Sequence, residues 1–297
     1  METERFNFEN KETKENVTSK IDLRFFRHAD KESNKEKPDK EIELTETGRK
    51  QAVEKSEDED ISQSVAFGSS RKRTQQTAGL VMGGQLEEII GDETVEELKE
   101  KLNKELKIGS KIGIDKRLDF NIDFSTDFGK KVLEAVKNGE YLKFLVEQSD
   151  TLAESFKDTA TETYSGMAGR VAEIVKKYLA IAPRWDKLAQ DENKNYDDAL
   201  KRFFGTHQGI AESFLAKVIE QTKGKEERDV FVSALGNQGF NFVEGFEVEI
   251  DTINGEEQKI HIKFKKEKDG KIIFEYDGIV SREIIEGFIL VKGEDKK

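Results

Sequence analysis

Four side chains, two histidines and two arginines, carry the chemistry that this sequence can offer. Arg27 precedes His28, Arg73 follows in a second segment, and His207 stands in "GTHQG". A neutral imidazole can attack phosphorus and form a phosphohistidine, while arginine presents a planar fork of donors that matches phosphate oxygens. Fixed cations also stabilise the charge on a transferring phosphoryl group. The four residues are therefore candidates for a phosphoryl-transfer site that needs no metal.

Each of these candidates comes shortly after a segment that is typical of a β-strand. Residues 21–26, "IDLRFF", alternate apolar and polar side chains up to Arg27. "SVAFGSS" predicts a second strand ahead of Arg73, and "RFFGTH" predicts a third that ends at His207. Because functional groups gather beyond the carboxyl ends of parallel strands, we expect the candidates to converge at one edge of a sheet.

Predicted helices alternate with these strands, which favours an α/β fold with a mostly parallel sheet. "LTETGRKQAVEK" has Thr45 or Thr47 as its N-cap, and "SRKRTQQTAGLVM" has Ser69 or Ser70. An extended segment is predicted in "KIGIDKRLDFNIDF". Further helices are predicted over residues 92–107, 128–148 and 162–181 and in "QGIAESFLAKVIEQT".

The C-terminal part of the chain has a different pattern from the rest. Apolar and polar residues alternate strictly in "FEVEID", "QKIHIKFKK" and "KIIFEYD", which are joined by "NGEE" and "KDGK". This pattern predicts an antiparallel β meander. The meander can extend the main sheet or pair with a second copy of the chain, so a homodimer stays open. "SREIIEGFILVK" closes the chain as a helix or a last strand, and His261 on the meander is interpreted as structural.

Composition narrows the class of protein. The formal net charge of −12 argues against a general partner among nucleic acids or acidic membranes, since a phosphate polymer would be repelled. The chain has no cysteine, which excludes disulfides and thiolate catalysis. We see no signal peptide and no apolar run near the ~20 residues of a membrane span, so we expect a cytoplasmic protein.

Four motifs in order resemble the histidine phosphatase superfamily, which includes cofactor-dependent phosphoglycerate mutase. They are "LRFFRHA", "LTETGRKQA", "SSRKRTQQTA" and "GTHQGI", and a weaker fifth match is "ETYSGMAGRVAEI", with Glu162 and Arg170 at the separation seen in the family. The resemblance spans about residues 21–220. It implies a mixed, mainly parallel sheet with helices on both faces, followed here by the antiparallel meander.

The resemblance also implies roles and a domain plan. His28 would be the nucleophile that becomes phosphohistidine, Arg27 and Arg73 would hold the phosphate, and His207 would complete the pocket, without cofactor or metal. We expect a polar tail over residues 1–20 and one domain over 21–297. That domain would contain a variable insert at about 84–160 and a β-rich extension at about 240–297.

One motif departs from the family. The family has a Leu-x-Glu segment whose glutamate protonates the leaving group, and here Phe120 stands at that position. Asp119 is the preferred replacement and Asp123 the next, while Glu162 and Glu212 are weaker candidates. The substrate would be a small-molecule or protein phosphomonoester. A mutase-type phosphotransferase and a catalytically impaired phosphate-binding module remain alternatives to a phosphatase.

Overall fold

A single seven-stranded sheet organises the part of the chain that the computed structural model describes, residues 16–57, 60–104 and 111–289. The strand order across the sheet is β3-β2-β4-β1-β5-β6-β7. The strands are β1 (Val17–Arg27), β2 (Val65–Gly68), β3 (Ile112–Ile114), β4 (Ala199–Thr206), β5 (Gly245–Ile253), β6 (Glu257–Lys268) and β7 (Lys271–Val280).

The helices connect and cover these strands. Short 3-10 turns at Asp39–Glu41, Lys116–Leu118 and Gly236–Gln238 and a π-helical turn at Leu145–Ser149 lie between them. The α-helices are α1 (Glu46–Val53), α2 (Lys72–Gly83), α3 (Val95–Asn103), α4 (Asp127–Lys137), α5 (Tyr141–Phe144), α6 (Asp150–Phe156), α7 (Tyr164–Ala189), α8 (Ile210–Lys223), α9 (Lys225–Leu235) and α10 (Arg282–Gly287).

Strand β1 is the point at which the sheet changes from parallel to antiparallel pairing. It runs parallel to β4, which in turn pairs with β2 and β2 with β3, all in the same direction. On its other side β1 pairs antiparallel with β5, and β6 and β7 continue the meander. The predicted mixed sheet with a C-terminal antiparallel meander is therefore confirmed, and the meander extends the same sheet.

Two hydrophobic cores lie on opposite faces of the sheet. Ile21, Leu23 and Phe25 of β1 face the larger core, which packs under α7 and α8. Phe26 of the same strand faces the smaller core with α1, α2 and α3. The alternation that predicted this strand thus divides its apolar side chains between two helical layers.

Four phenylalanine rings stack across the middle of the sheet on the side of the larger core. Neighbouring ring centroids lie 5.2 Å apart for Phe246 and Phe25, 4.6 Å for Phe25 and Phe204, and 5.4 Å for Phe204 and Phe67. These rings belong to β5, β1, β4 and β2, so the stack ties the antiparallel strands to the parallel ones. It fixes the strands close to the ends from which the candidate residues extend.

Several boundaries differ from the sequence predictions. β1 begins at Val17, so residues 17–20 belong to the sheet and not to the predicted tail; residues 1–15 lie outside the described residues. The predicted helix over 128–148 is interrupted after Lys137, where Gly139 adopts a φ of +72° that a helix does not contain. The predicted serine cap of α2 is wrong: Arg71 occupies the N-cap and makes no capping hydrogen bond with its side chain.

Other elements agree with or add to the predictions. Thr45 caps α1 by accepting a hydrogen bond from the Gly48 N–H. The last segment contains a helix, α10, and the sequence pattern missed α9. Within the described ranges, no helix is long and apolar enough to cross a membrane.

Candidate active site

His28 and His207 meet where two parallel strands end side by side. β1 ends at Arg27 and β4 ends at Thr206, and these two residues are register partners. The His28 N–H donates to the Thr206 carbonyl at 2.9 Å, which holds the two histidine-bearing turns together. The imidazole centroids lie 5.3 Å apart with the rings at 68°, and both residues are buried.

The start of helix α2 approaches these strand ends closely because two glycines leave room for it. A Cβ on Gly68 would lie 2.5 Å from the Gln75 backbone nitrogen, and one on Gly205 would lie 2.3 Å from the Thr74 carbonyl oxygen. Both contacts are shorter than any real Cβ contact, so these positions require glycine. The close packing brings Arg73, in the first turn of α2, beside the histidine pair.

The hydrogen bond of His28 selects one tautomer. Its Nδ1 lies 2.7 Å from the Ala29 carbonyl oxygen, which can only accept, so Nδ1 carries the proton. Burial lowers the pKa of His28 to about 3, and the positive charges of Arg73 and Arg27 add to the lowering. The ring is therefore neutral with a free lone pair on Nε2, which is the form required of a nucleophile.

His207 is held from two sides. Its Nε2 lies 2.8 Å from the Ser69 hydroxyl, and the Phe120 ring packs edge-on at a centroid distance of 4.9 Å. Burial, together with the neighbouring His28 and Arg73, lowers the pKa of His207 well below its ordinary value. Ser69, a predicted cap of α2, instead orients the second histidine.

Arg27 is anchored to the segment that precedes the meander. Its Nη1 donates to the carbonyl oxygens of Gln238 at 2.8 Å and Phe240 at 2.7 Å, and its guanidinium lies 5.0 Å from the centre of the Phe242 ring. The buried Nε of Arg27 and the buried Nε of Arg73 have no hydrogen-bond partner among the described residues. The charges of both arginines act on His28, whose pKa they help to lower.

Asp39 joins this arginine cluster from the loop after β1. Its Oδ1 and its carbonyl oxygen accept from Nη1 of Arg73 at 3.0 and 2.9 Å, and its Oδ2 accepts from Nε of Arg71 at 2.5 Å. Burial opposes ionisation of Asp39, but the hydrogen bonds from Arg71 and Arg73 hold its pKa below the ordinary value. No pattern in the sequence distinguishes Asp39, because it stands in a loop rich in lysine and glutamate.

Asp119, the acid preferred from the sequence, is tied to the start of α2. Its Oδ1 accepts from the Ser70 N–H at 3.0 Å, the Ser70 hydroxyl at 2.7 Å and Nη1 of Arg71 at 2.9 Å. Arg71 also stacks on Phe120, with 4.2 Å from its guanidinium carbon to the ring centre. Arg71 and Arg73 are therefore held by contacts within the protein and do not form a solvated helix face.

The two glutamates considered as weaker acid candidates have other partners. Glu162 pairs with Arg170 at 2.6 Å, and burial raises the pKa of Glu162. Glu212 is fully buried, and burial likewise raises its pKa. Its two carboxylate oxygens accept from the backbone N–H of Gly209 at 2.8 Å and of Phe240 at 3.0 Å. Glu212 thereby connects the turn after His207 to the segment that anchors Arg27.

The remaining predicted residues lie apart from the histidine pair. Asp123 binds the hydroxyl and N–H of Ser125 in a local turn, at 2.5 and 2.9 Å. His261 lies on β6 and contacts Asp277 and Glu249. No group of three or more His, Asp or Glu side chains that could hold a metal occurs in the described portion of the chain.

Comparison with protein families agrees with the motifs at the start of the chain. The family model described as "Histidine phosphatase superfamily (branch 1)" matches residues 23–107. Residues 23–107 are thus similar to the histidine phosphatase superfamily. The matched segment contains Arg27, His28 and Arg73, and His207 lies beyond its end.

Comparison with solved structures finds matches at low identity. "Mycobacterial hydrolase 2" is 13% identical, with 91% of this chain and 97% of that chain covered and a TM-score of 0.45. A mycobacterial glucosyl-3-phosphoglycerate phosphatase with inorganic phosphate is 14% identical (78% and 89% covered, TM-score 0.39). A phosphoserine phosphatase from Entamoeba histolytica with 3-phosphoglyceric acid is also 14% identical (79% and 95% covered, TM-score 0.38). No curated protein matches the chain significantly.

Proposed function

We propose that this protein is a phosphoric monoester hydrolase that acts through a phosphohistidine on His28. The observation that carries the proposal is the neutral His28, with Nε2 unprotonated, beside His207, the buried Arg73 and the half-buried Arg27. A phosphate group needs a nucleophile on one side and fixed donors around its oxygens, and these four residues offer both.

In the first step, Nε2 of His28 attacks phosphorus, and the P–N bond forms as the P–O ester bond breaks. The electron pair of the broken bond leaves on the ester oxygen, which takes a proton and departs as the alcohol. In the second step, water attacks phosphorus, the P–N bond breaks, and its electron pair returns to Nε2. Arg27, Arg73 and His207 would stabilise the negative oxygens in both steps.

We do not assign the proton of the leaving group to Asp119. Its Oδ1 already accepts three hydrogen bonds from Ser70 and Arg71, which makes it an anchor for the start of α2. The leaving oxygen would take its proton from water. Without a general acid, the enzyme would favour substrates whose leaving group is stable as an anion, because such a group departs without being protonated by the protein.

A phosphate-binding module without turnover is the second candidate, and the contacts of Asp119 favour it. Oδ1 of Asp119 is engaged by Ser70 and Arg71, so no acid is assigned to protonate the leaving group. In this form the protein would bind inorganic phosphate and hydrolyse nothing.

Hydrolysis of p-nitrophenyl phosphate by matched histidine variants separates the two candidates. We expect turnover by wild type and by His261→Ala, whose histidine lies on β6, and at least a hundredfold loss in His28→Ala. Equal activity in His28→Ala would contradict the phosphohistidine mechanism. No hydrolysis by wild type, with phosphate binding in calorimetry, would favour the binding module.

A further inference from the structure

A cavity near the histidine pair is lined by residues that suit one class of leaving group. Its volume is about 630 Å³, and its lining includes Phe120, Ile122 and Phe124. The volume lies within the roughly 300–1,000 Å³ of ordinary small-molecule sites. Phe120 also contacts the His207 ring, at a centroid distance of 4.9 Å, so one wall of the cavity lies against the histidine pair.

The apolar part of the cavity is an aromatic surface that the fold leaves open. Phe124 is 50% exposed, although it is a large apolar side chain, and Phe120 and Ile122 are half-buried. A flat ring packed on such a surface gains the energy of apolar burial and of ring–ring contact. A sugar or a short aliphatic alcohol would bury less apolar area here.

The charged part of the cavity disfavours a second anionic group. Asp39 and Asp123 both line it. Hydrogen bonds from Ser125 lower the pKa of Asp123, and those from Arg71 and Arg73 hold the pKa of Asp39 low, so both carboxylates are ionised at neutral pH. A carboxylate or second phosphate on the leaving group would be repelled by them.

Arg71 also lines the cavity, but its positive charge does not offset the repulsion by the two carboxylates. Arg71 donates through Nε to Asp39, through Nη1 to Asp119 and through Nη2 to the Phe120 carbonyl. Three of its five N–H donors are thus engaged within the protein, and its charge is already shared by Asp39 and Asp119. A leaving-group carboxylate would have to compete with these two carboxylates for the same cation, which argues against phosphoglycerate-like substrates and against the mutase alternative.

We propose that this cavity binds the leaving group of the substrate and selects aryl phosphates whose ring carries no negative charge. The inference rests on the proposed phosphatase function and adds a substrate class to it. It also agrees with the lack of an assigned acid, because a phenol, with a pKa of about 10 as in tyrosine, leaves more readily as an anion than an aliphatic alcohol.

The test compares two substrates with good leaving groups, phenyl phosphate with a ring and acetyl phosphate without one. We measure kcat/KM for both with wild type, Phe124→Ala and the control Ile279→Ala, an equally exposed apolar residue on the edge strand β7. Phe124→Ala should lower the ratio of phenyl to acetyl phosphate about tenfold, whereas Ile279→Ala should leave it unchanged. An unchanged ratio in Phe124→Ala would overturn the inference.

A second comparison tests the charge. Wild type should prefer phenyl phosphate over 4-carboxyphenyl phosphate, and Asp123→Asn should reduce that preference several-fold. A wild type that prefers the carboxylated ester would overturn the inference. Hydrolysis of acetyl phosphate through His28 without hydrolysis of either aryl ester would also overturn it while the proposed function stands. Failure on all three substrates would instead count against the proposed function.

Discussion

Asp39 and Arg73 form an ion pair at the proposed phosphate site. The Asp39 Oδ1 lies 3.0 Å from Nη1 of Arg73, whose side chain is only 3% exposed, while that of Asp39 is 53% exposed. A half-exposed carboxylate thus neutralises a buried guanidinium. A carboxylate resembles phosphate in charge and in its ability to accept two parallel hydrogen bonds, so the two would compete for the same donors.

Removing the charge of Asp39 should strengthen phosphate binding. In Asp39→Asn the guanidinium of Arg73 keeps its position but loses a competing anion, so the inhibition constant of inorganic phosphate should fall by about tenfold. The matched control is Glu41→Gln, which removes the same charge from the same 3-10 turn but takes it from Lys72, at 2.8 Å. Weaker phosphate binding in Asp39→Asn than in Glu41→Gln would show that Asp39 positions Arg73 and does not compete with phosphate.

Replacing Glu212 should destabilise the turns that hold Arg27 and His207. Glu212→Leu leaves two buried N–H groups, those of Gly209 and Phe240, without an acceptor, at a cost of about 1–3 kcal/mol each. Glu212→Gln keeps one acceptor oxygen and should lose about half as much. Urea unfolding of both variants measures the difference, and a leucine variant as stable as wild type would contradict this role.

The buried histidines should make stability fall as the pH is lowered. The unfolded chain protonates His28 below about pH 6.5, whereas the folded chain resists protonation until about pH 3. Between these values the unfolded state binds more protons, so the free energy of unfolding decreases with decreasing pH. From pH 8 to pH 5, His28 alone should account for a loss of about 2 kcal/mol.

Thermal or urea unfolding of wild type and of His28→Asn across this pH range measures the contribution of His28. The loss between pH 8 and pH 5 should be about 2 kcal/mol smaller in His28→Asn than in wild type. Subtracting the two profiles removes the contributions of other groups, such as Asp22, whose pKa burial raises to about 6. Parallel profiles for wild type and His28→Asn would mean that His28 is protonated in the folded protein.

Removal of divalent metal ions with a chelator should not change the rate of hydrolysis. The proposed mechanism gives each role to a histidine or an arginine, and the described residues contain no set of three His, Asp or Glu ligands. We expect the same kcat/KM for phenyl phosphate before and after dialysis against EDTA. A loss that Mg²⁺ or Zn²⁺ restores would contradict a mechanism without metal.

The sequence contains the information for the histidine pair because strand ends and parallel pairing are local features. The alternation before Arg27 and the apolar run before His207 predict two strands, and parallel strands of one sheet place their carboxyl ends together. The position of Arg73 at the same edge is predicted in the same way, because the helix that carries it starts at a strand end. The segment from 23 to 107 carries enough of these features to match the family.

Other parts of the site depend on long-range contacts that no local pattern reveals. The loop that contains Asp39 has many acidic residues, and only the folded chain brings this one to Arg73. Phe242 reaches Arg27 from a segment more than two hundred residues away. Gln238 and Phe240 contribute backbone carbonyls, which leave no trace in the side-chain sequence.

Direct detection of a phosphoryl group on His28 is the most direct test of the proposed mechanism. Wild type is mixed with a labelled aryl phosphate and quenched in alkali within the first turnover. We expect a label that is stable in alkali and lost in acid, located on the peptide that contains His28 and absent from His28→Asn. Turnover by His28→Asn at the wild-type rate, with no labelled histidine in wild type, would contradict the mechanism.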